Sequence, residues 1–332
     1  MARILLHIGY PKTGTTSLQL FFSKNAEALK SRGWLYPETG RLHNAHYNIS
    51  FALDIGNYEK RETQTPQSMR DALDKEIHAS NCANVLLSAE SFITTRRPQE
   101  VKDFFAGHDL RVLLYLRRHD HAFNSGYGQA VRSTVNPPWG PGIDSYVLYQ
   151  FGISTIPWDY LQTLRRWATC IGADNLIVRP FESDQNAPDL YGDFMNAIGL
   201  SDGDSLPRPE RERNTSISYR MLSIIDGLNR SPDKKEVRQE LLGPLMKIAN
   251  REDKRDENPI LSPKMRNAIL TRYRKSYEQI AKEFMGRPDG VLFKEPEPTP
   301  DDAWEPPTPA TFQDAIDTLV KAMAIAKRDG EG

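Results

Sequence analysis

Cysteine is scarce in this chain: Cys82 and Cys170 stand far apart and have no close neighbours of their kind. Neither a disulfide framework nor a cysteine-based metal spacing can be drawn from them, which suits a reducing compartment, and both read as core residues. No apolar run approaches the length that spans a bilayer. The opening one, Ile4-Leu5-Leu6-His7-Ile8, is cut by Gly9 and Pro11 too soon to be the apolar part of a secretory leader. A soluble, cytoplasmic protein is the expectation. Charge of one sign is also lacking, since 43 Lys and Arg oppose 44 Asp and Glu. Nothing global therefore points to a nucleic-acid or membrane-surface partner, and any anion selectivity must be local. No internal repeat is visible. A length of 332 residues with 39% hydrophobic side chains allows one large or two moderate globular domains.

The chain is organised around Ile8-Gly9-Tyr10-Pro11-Lys12-Thr13-Gly14-Thr15-Thr16. A buried-strand run precedes this stretch, and a segment with helical periodicity (Leu18, Phe21, Phe22, Ala26, Leu29) follows it. Strand, glycine-bounded loop and helix in that order gather backbone N–H groups at a helix N-terminus, where four donors lack intrahelical partners and the dipole favours an anion. Phosphate is the expected occupant. A plain turn at Pro11 and Gly14 is the simpler alternative.

Further units repeat the pattern. Gly33 to Pro37 reads as a short strand closed by proline, and the polar stretch with His43, His46 and Tyr47 as a loop over the site. A helix over 66–78 leads to the strand Val85-Leu86-Leu87, with Glu90 just past its end. A helix over 101–105 leads to the strand 111–116, with Arg117 and Arg118 at its end, followed by a helix over 121–131. Asn136 to Gly142 reads as a long exposed loop. A helix over 158–168, a strand over 175–180 and a helix over 190–198 come next. Alternating strands and helices predict an α/β fold with a mostly parallel sheet and right-handed crossovers. Ligands of such sheets lie beyond the carboxyl ends of the strands, which puts Glu90 on the edge of the first loop. Helical segments over 219–228, 237–248 and 265–284 read as a helical C-terminal extension of that domain, with apolar spacing suited to docking on the sheet.

The expected organisation is one domain over residues 1–293, a linker rich in proline and acid over 294–309, and an amphipathic helix with tail over 310–332. On that last helix Phe312, Ile316, Leu319, Val320, Met323 and Ala326 share a face. It must be buried on its own chain, the simpler expectation, or on a second copy in a homodimer.

Gly9 and Gly14 have the glycine spacing of a nucleoside-triphosphate loop, but Thr15-Thr16 stands where that motif requires Lys followed by Ser or Thr. The lysine is inside the loop, at position 12. No later strand ends in the apolar run plus Asp that would help hold Mg²⁺. The stretch Tyr10-Pro11-Lys12-Thr13-Gly14-Thr15-Thr16 resembles the 5′-phosphosulfate loop of sulfotransferases that use 3′-phosphoadenosine 5′-phosphosulfate (PAPS). The family's second motif, a strand-end arginine followed eight residues later by a helix-borne serine, is matched by Arg117 and Ser125. Stretches near Asn175–Glu182, Asp193-Phe194, Ile198-Gly199-Leu200 and Asn214–Ser218 are similar to bacterial members, so the resemblance runs from about Arg3 to Phe284.

The resemblance implies a three-layer, P-loop-like fold and a sulfotransferase that moves a sulfonate from PAPS to a hydroxyl of a carbohydrate, glycoconjugate or other small acceptor, with no metal required. It implies that Pro11, Lys12, Thr13, Gly14, Thr15 and Thr16 hold the 5′-phosphosulfate, with Lys12 on the leaving oxygen, and that Arg117 and Ser125 hold the 3′-phosphate. Guanidinium and hydroxyl suit that phosphate chemically. The general base is Glu90 or His46, with Glu90 placed at the strand end and His46 in the covering loop. Arg117 or Arg118 could instead pair with Asp120. The family's glycine-rich basic C-terminal motif has no copy here; Arg208, Arg211 and Arg213 could supply its charge, or could be a solvated loop. The aromatic that stacks on adenine stays open among Trp34, Trp139, Trp158 and the tyrosines. An ATP-dependent small-molecule kinase and a non-catalytic nucleotide-binding protein of the same fold are the alternatives.

Overall fold

A computed structural model describes residues 1–56, 64–153, 158–200, 205–209, 217–231, 234–251 and 259–330. Packing divides the chain into two compact units. The first holds Met1–Arg118, the described part of Thr155–Glu210, and Tyr273–Pro296; the second holds the described parts of His119–Ser154, Arg211–Arg272 and Glu297–Gly332.

The first unit is built on a five-stranded sheet of β1 (Arg3–His7), β2 (Trp34–Leu35), β3 (Asn84–Ser88), β4 (Asp109–Leu116) and β5 (Leu176–Pro180). The order is β2-β3-β1-β4-β5, and every pairing is parallel. The α/β fold with a parallel central sheet is therefore as the sequence predicts. Successive residues of β1, β3 and β4 are almost wholly buried, as a parallel sheet covered on both faces requires. On one face the helix α1 (Thr15–Lys24) contributes Leu18, Phe21 and Phe22, and the helix Leu190–Ala197 contributes Phe194 and Met195. They close a core over Leu5, Leu86, Leu113 and Tyr115. The helices Pro98–Phe104 and Tyr160–Ile171 pack together, the latter also on β4 and β5. Register places His7 beside Ser88 and Leu113, so the exits of β1, β3 and β4 share one edge.

The second unit is helical. Of the helices read as an extension of the sheet domain, Tyr219–Asn229 lies on His119–Ser133 and on Lys234–Ala249, whereas the larger part of Pro263–Met285 belongs to the first unit. The exposed loop expected over 136–142 is partly a core element. Trp139 is buried, its ring 5.2 Å from that of Tyr146, and Arg230 donates to its carbonyl at 2.7 Å. A helix over Gly142–Gly152 that the sequence did not predict follows. It opens on a Pro-Gly pair and buries only Ile143, Tyr146 and Val147, too few to make a periodic stripe. Cys82 is buried as expected, whereas Cys170 is half-exposed.

The segment read as a linker is tied down along its length. Glu182 accepts from the Lys294 and Glu295 amides at 2.8 and 2.6 Å, and Arg118, 2% exposed, donates to the Glu295 carbonyl at 2.8 Å and its carboxylate at 2.9 Å. Further on, Asn267 donates to the Pro298 carbonyl at 3.1 Å and Trp304 to that of Pro259 at 2.9 Å. Proline-rich chain cannot bond itself, so its amides and carbonyls are open to side chains elsewhere. No described helix is long and apolar enough to cross a membrane.

Candidate functional site

The loop from Gly9 to Gly14 leaves β1 at the sheet edge and enters α1. Both glycines are dictated by geometry. A Cβ on Gly9 would collide with the Thr15 methyl, and Gly14 has φ +74° with Leu190 and Phe181 packed against its open side. Lys12 is also left-handed, φ 66°, a conformation that costs a non-glycine residue about 1–2 kcal/mol. Two contacts hold the turn: Thr13 Oγ1 donates to the Tyr10 carbonyl at 2.7 Å, and Arg117 Nη1 donates to the Lys12 carbonyl at 2.8 Å. No side chain caps the N-terminus of α1 and its first turn carries no acid. That leaves the first-turn amides and the helix dipole to an anion.

Glu90 begins the 3-10 turn Glu90–Thr94 directly beyond β3. Its carboxylate does not cap that turn. It takes the hydroxyl of Thr15 on α1 and feels the charge of Lys12. Burial pushes the Glu90 carboxyl up to about 7, and the Lys12 ammonium opposes that rise. A carboxyl in this state exchanges protons near neutrality, as a general base must. Lys12 and Thr15 of the loop thus meet Glu90, far away in the sequence, at one edge, and Arg117 joins them through the Lys12 backbone.

Beneath this group lies a layer that motif spacing did not reveal. Ser88, the last residue of β3, has its Oγ 2.9 Å from His7 Nδ1 and 3.2 Å from Gln19 Nε2. Its amide donates to His46 Nδ1 at 3.1 Å, and its carbonyl accepts from the His46 amide at 2.7 Å. Ser88 therefore stitches β1, α1 and the 36–46 loop together two residues before Glu90. Burial drives His7 down to about 3, so it is neutral at any working pH. The only sequence signal was a serine and a histidine at the ends of neighbouring strands, which no motif distinguishes.

No protein-family model matches the chain. It is 24% identical over 220 residues to an uncharacterized protein of Archaeoglobus fulgidus, a match over 64% of this chain and 57% of that relative, so it spans little more than half of that protein's length. The structure is similar to the crystal structure of a sulfotransferase from Alicyclobacillus acidocaldarius, with a TM-score of 0.41 and 15% identity over 76% of this chain and 97% of the other. A likeness at that level fixes neither activity nor ligand. The functional reading rests on the site's own chemistry.

Several expectations change in this setting. His46 does not offer a free lone pair: it is wholly buried, Nδ1 accepts from Ser88, and Nε2 lies 3.0 Å from the Pro37 carbonyl, so it carries the proton. Burial lowers it to about 4. It is a strut of the loop. The arginine pair is separated by function: Arg118 is spent on Glu295, and Asp120 is paired with Arg266 at 2.8 Å, whereas Arg117 reaches the loop, its guanidinium also 5.6 Å over the Phe181 ring. Ser125 lies in the second unit, on the helix His119–Ser133, and donates back to the His121 carbonyl at 2.9 Å. Trp34 is buried in the sheet core, which removes it from the adenine-stacking candidates. Arg208 pairs with Asp189 at 3.0 Å and lies over Phe21 and Tyr191, so it is a packed residue. Arg211, Arg213 and the stretch 214–216 lie outside the described residues. Among the described residues no group of three or more His, Cys, Asp or Glu could hold a metal ion.

Proposed function

We propose that this chain is a PAPS-dependent sulfotransferase acting on a hydroxyl, with a carbohydrate or glycoconjugate as the acceptor class. The observation that supports it most is the meeting of Lys12, inside a glycine-bounded loop, with Glu90 at the exit of the neighbouring strand. The residues suit the donor: the loop leaves an uncapped helix N-terminus without a first-turn acid, and Gly9 lets the backbone approach closely.

In the proposed reaction the acceptor oxygen attacks sulfur in line. The new S–O bond forms as the bond from sulfur to the bridging oxygen of the phosphosulfate breaks, and 3′-phosphoadenosine 5′-phosphate leaves. Lys12 neutralises charge on that bridging oxygen, and Glu90 takes the acceptor proton. The amides of residues 13–16 with the Thr15 and Thr16 hydroxyls hold the 5′-phosphate, Pro11 shapes the turn, and Thr15 passes from Glu90 to the donor when it binds. Arg117 serves the 3′-phosphate by charge, with Ser125 assigned to it on the sequence motif alone. The sulfonate carries less charge than a terminal phosphate, so positioning and electrostatics suffice without a metal, by analogy with phosphoryl transfer.

Calorimetric titration with 3′-phosphoadenosine 5′-phosphate and with ATP, each with and without Mg²⁺, tests the donor. Tighter binding of the 3′-phosphorylated nucleotide, independent of Mg²⁺, is expected. Preference for ATP with Mg²⁺ would establish a kinase instead. Transfer of labelled sulfonate to a panel of glycans then separates an enzyme from a protein that only binds the nucleotide.

A further inference from the structure

The C-terminal helix, Phe312–Gly330, is docked on its own unit by a side adjacent to the one its sequence points to, sharing with it only the edge of Leu319 and Ala326. Ala322 and Thr318 are buried, and the helix packs along Lys234–Ala249. Asp314 lies 3.7 Å from Arg220 near one end, and Asp329 2.8 Å from Lys247 near the other. The large apolar face expected to seal this contact is on the surface instead. Phe312 is 82% exposed, Ile316 38%, Val320 59% and Met323 60%; Leu319 lies between them, half-buried. Small side chains on the docking side permit close approach, and the stripe is left over.

We infer that this stripe is an isologous interface at which two copies of the chain pair through antiparallel C-terminal helices. Its pattern fits a second copy in two ways. Phe312, Ile316, Leu319 and Met323 are spaced four, three and four residues apart, the a/d spacing of a helical seam. That spacing reads the same in both directions, so under a two-fold axis Phe312 meets the partner copy's position 323 and Ile316 its position 319. Charge is also divided along the helix: Asp314 and Asp317 lie in the first half, whereas the second holds Lys321, Lys327 and Arg328 against Asp329 alone. Antiparallel pairing sets each half against its opposite and aligns the helix dipoles favourably, whereas parallel pairing sets like against like. A helix that lies on lipid carries a predominantly Lys/Arg polar face, and the aspartates here argue against that occupant. One stripe of this length is smaller than the roughly 800 Å² per partner of a standard interface, so the dimer should dissociate within the micromolar range.

Sedimentation equilibrium of the full chain across that range is expected to show a monomer–dimer equilibrium, which Ile316→Glu abolishes while circular dichroism and melting stay unchanged. Orientation is read in a Cys170→Ser background. An oxidised mixture of Phe312→Cys and Met323→Cys chains should cross-link to each other, and neither should cross-link alone, because the like positions lie about 16 Å apart along the helix axis. A monomer at all concentrations, a dimer indifferent to Ile316→Glu, self-cross-linking of Phe312→Cys, or a monomer that sediments with anionic vesicles would each overturn the inference. None of these readings depends on the activity of the first unit.

Discussion

Replacing Glu90 by Gln should make the ligand-free protein more stable above neutral pH while it stops transfer. The free side chain titrates at 4.5, and burial moves Glu90 to about 7. Between those values the native chain holds a proton that the unfolded chain has lost, so stability falls as pH rises across the window, and the whole loss is present above it. The gap corresponds to about 3 kcal/mol. Gln keeps the shape and can still accept from Thr15, but it carries no charge to desolvate. Thermal unfolding of both proteins from pH 4 to 9 should therefore give coincident stabilities near pH 4 and a difference growing to about 3 kcal/mol at pH 8 in favour of the variant. On the activity side, kcat/KM of the wild type should rise with pH and level off above about 7, and Glu90→Gln should lower turnover about 10²–10⁴-fold. A stability difference that does not change with pH would refute the desolvated carboxylate. Unchanged turnover per bound donor would refute its role as base.

Lys12→Ala should fold normally and lose roughly 10²–10³-fold in turnover, by loss of charge at the leaving oxygen; substantial residual transfer in a labelled-donor assay would remove the central claim. Arg117→Ala should weaken 3′-phosphoadenosine 5′-phosphate by about ten- to a hundredfold, and adenosine 5′-phosphosulfate by less. The smaller loss reports the Lys12 carbonyl that Arg117 holds, and equal losses by titration would exclude the 3′-phosphate role. Gly9→Ala should cost about 1–3 kcal/mol through its collision with the Thr15 methyl, and adding Thr15→Ser, which removes that methyl but keeps the hydroxyl, should restore most of it in a melting experiment. Chelators should leave transfer unchanged, and loss of activity that Mg²⁺ restores would point to phosphoryl chemistry.

Much of the first unit was legible because its physics is local. An apolar run such as 111–116 can only be a buried strand when helices flank it, and strand after strand of that kind forces a parallel sheet. The loop was legible because its glycines answer to backbone geometry. What stayed hidden depends on contacts between distant residues. His46 read as a candidate base in a loop over the site, and only the Ser88 amide and Pro37 carbonyl show it to be a buried strut. The final helix shows the same limit from the other direction: periodicity found its apolar face, but burial is decided by which side fits a neighbour, and the small side chains of Thr318 and Ala322 fit better.

The two arginines after β4 carry the most consequential of these distinctions. Adjacent just past the end of β4, Arg117 and Arg118 take different partners one sequence step apart. Arg118 goes inward to the 295–296 strap, and Arg117 goes to the loop. The strap thereby fixes the strand end from which Arg117 reaches Lys12, and the region that looked most like a dispensable linker becomes part of the support of the site. Glu295→Ala should then take this carboxylate from the buried Arg118, costing about 3–5 kcal/mol if the pair behaves as a fully buried one and less in proportion to the half-exposed Glu295 carboxylate. Donor affinity should fall with it. Measuring both in the same variant separates the cases: lost stability with unchanged nucleotide binding would mean that the strap supports the fold alone and that Arg117 holds the loop without it.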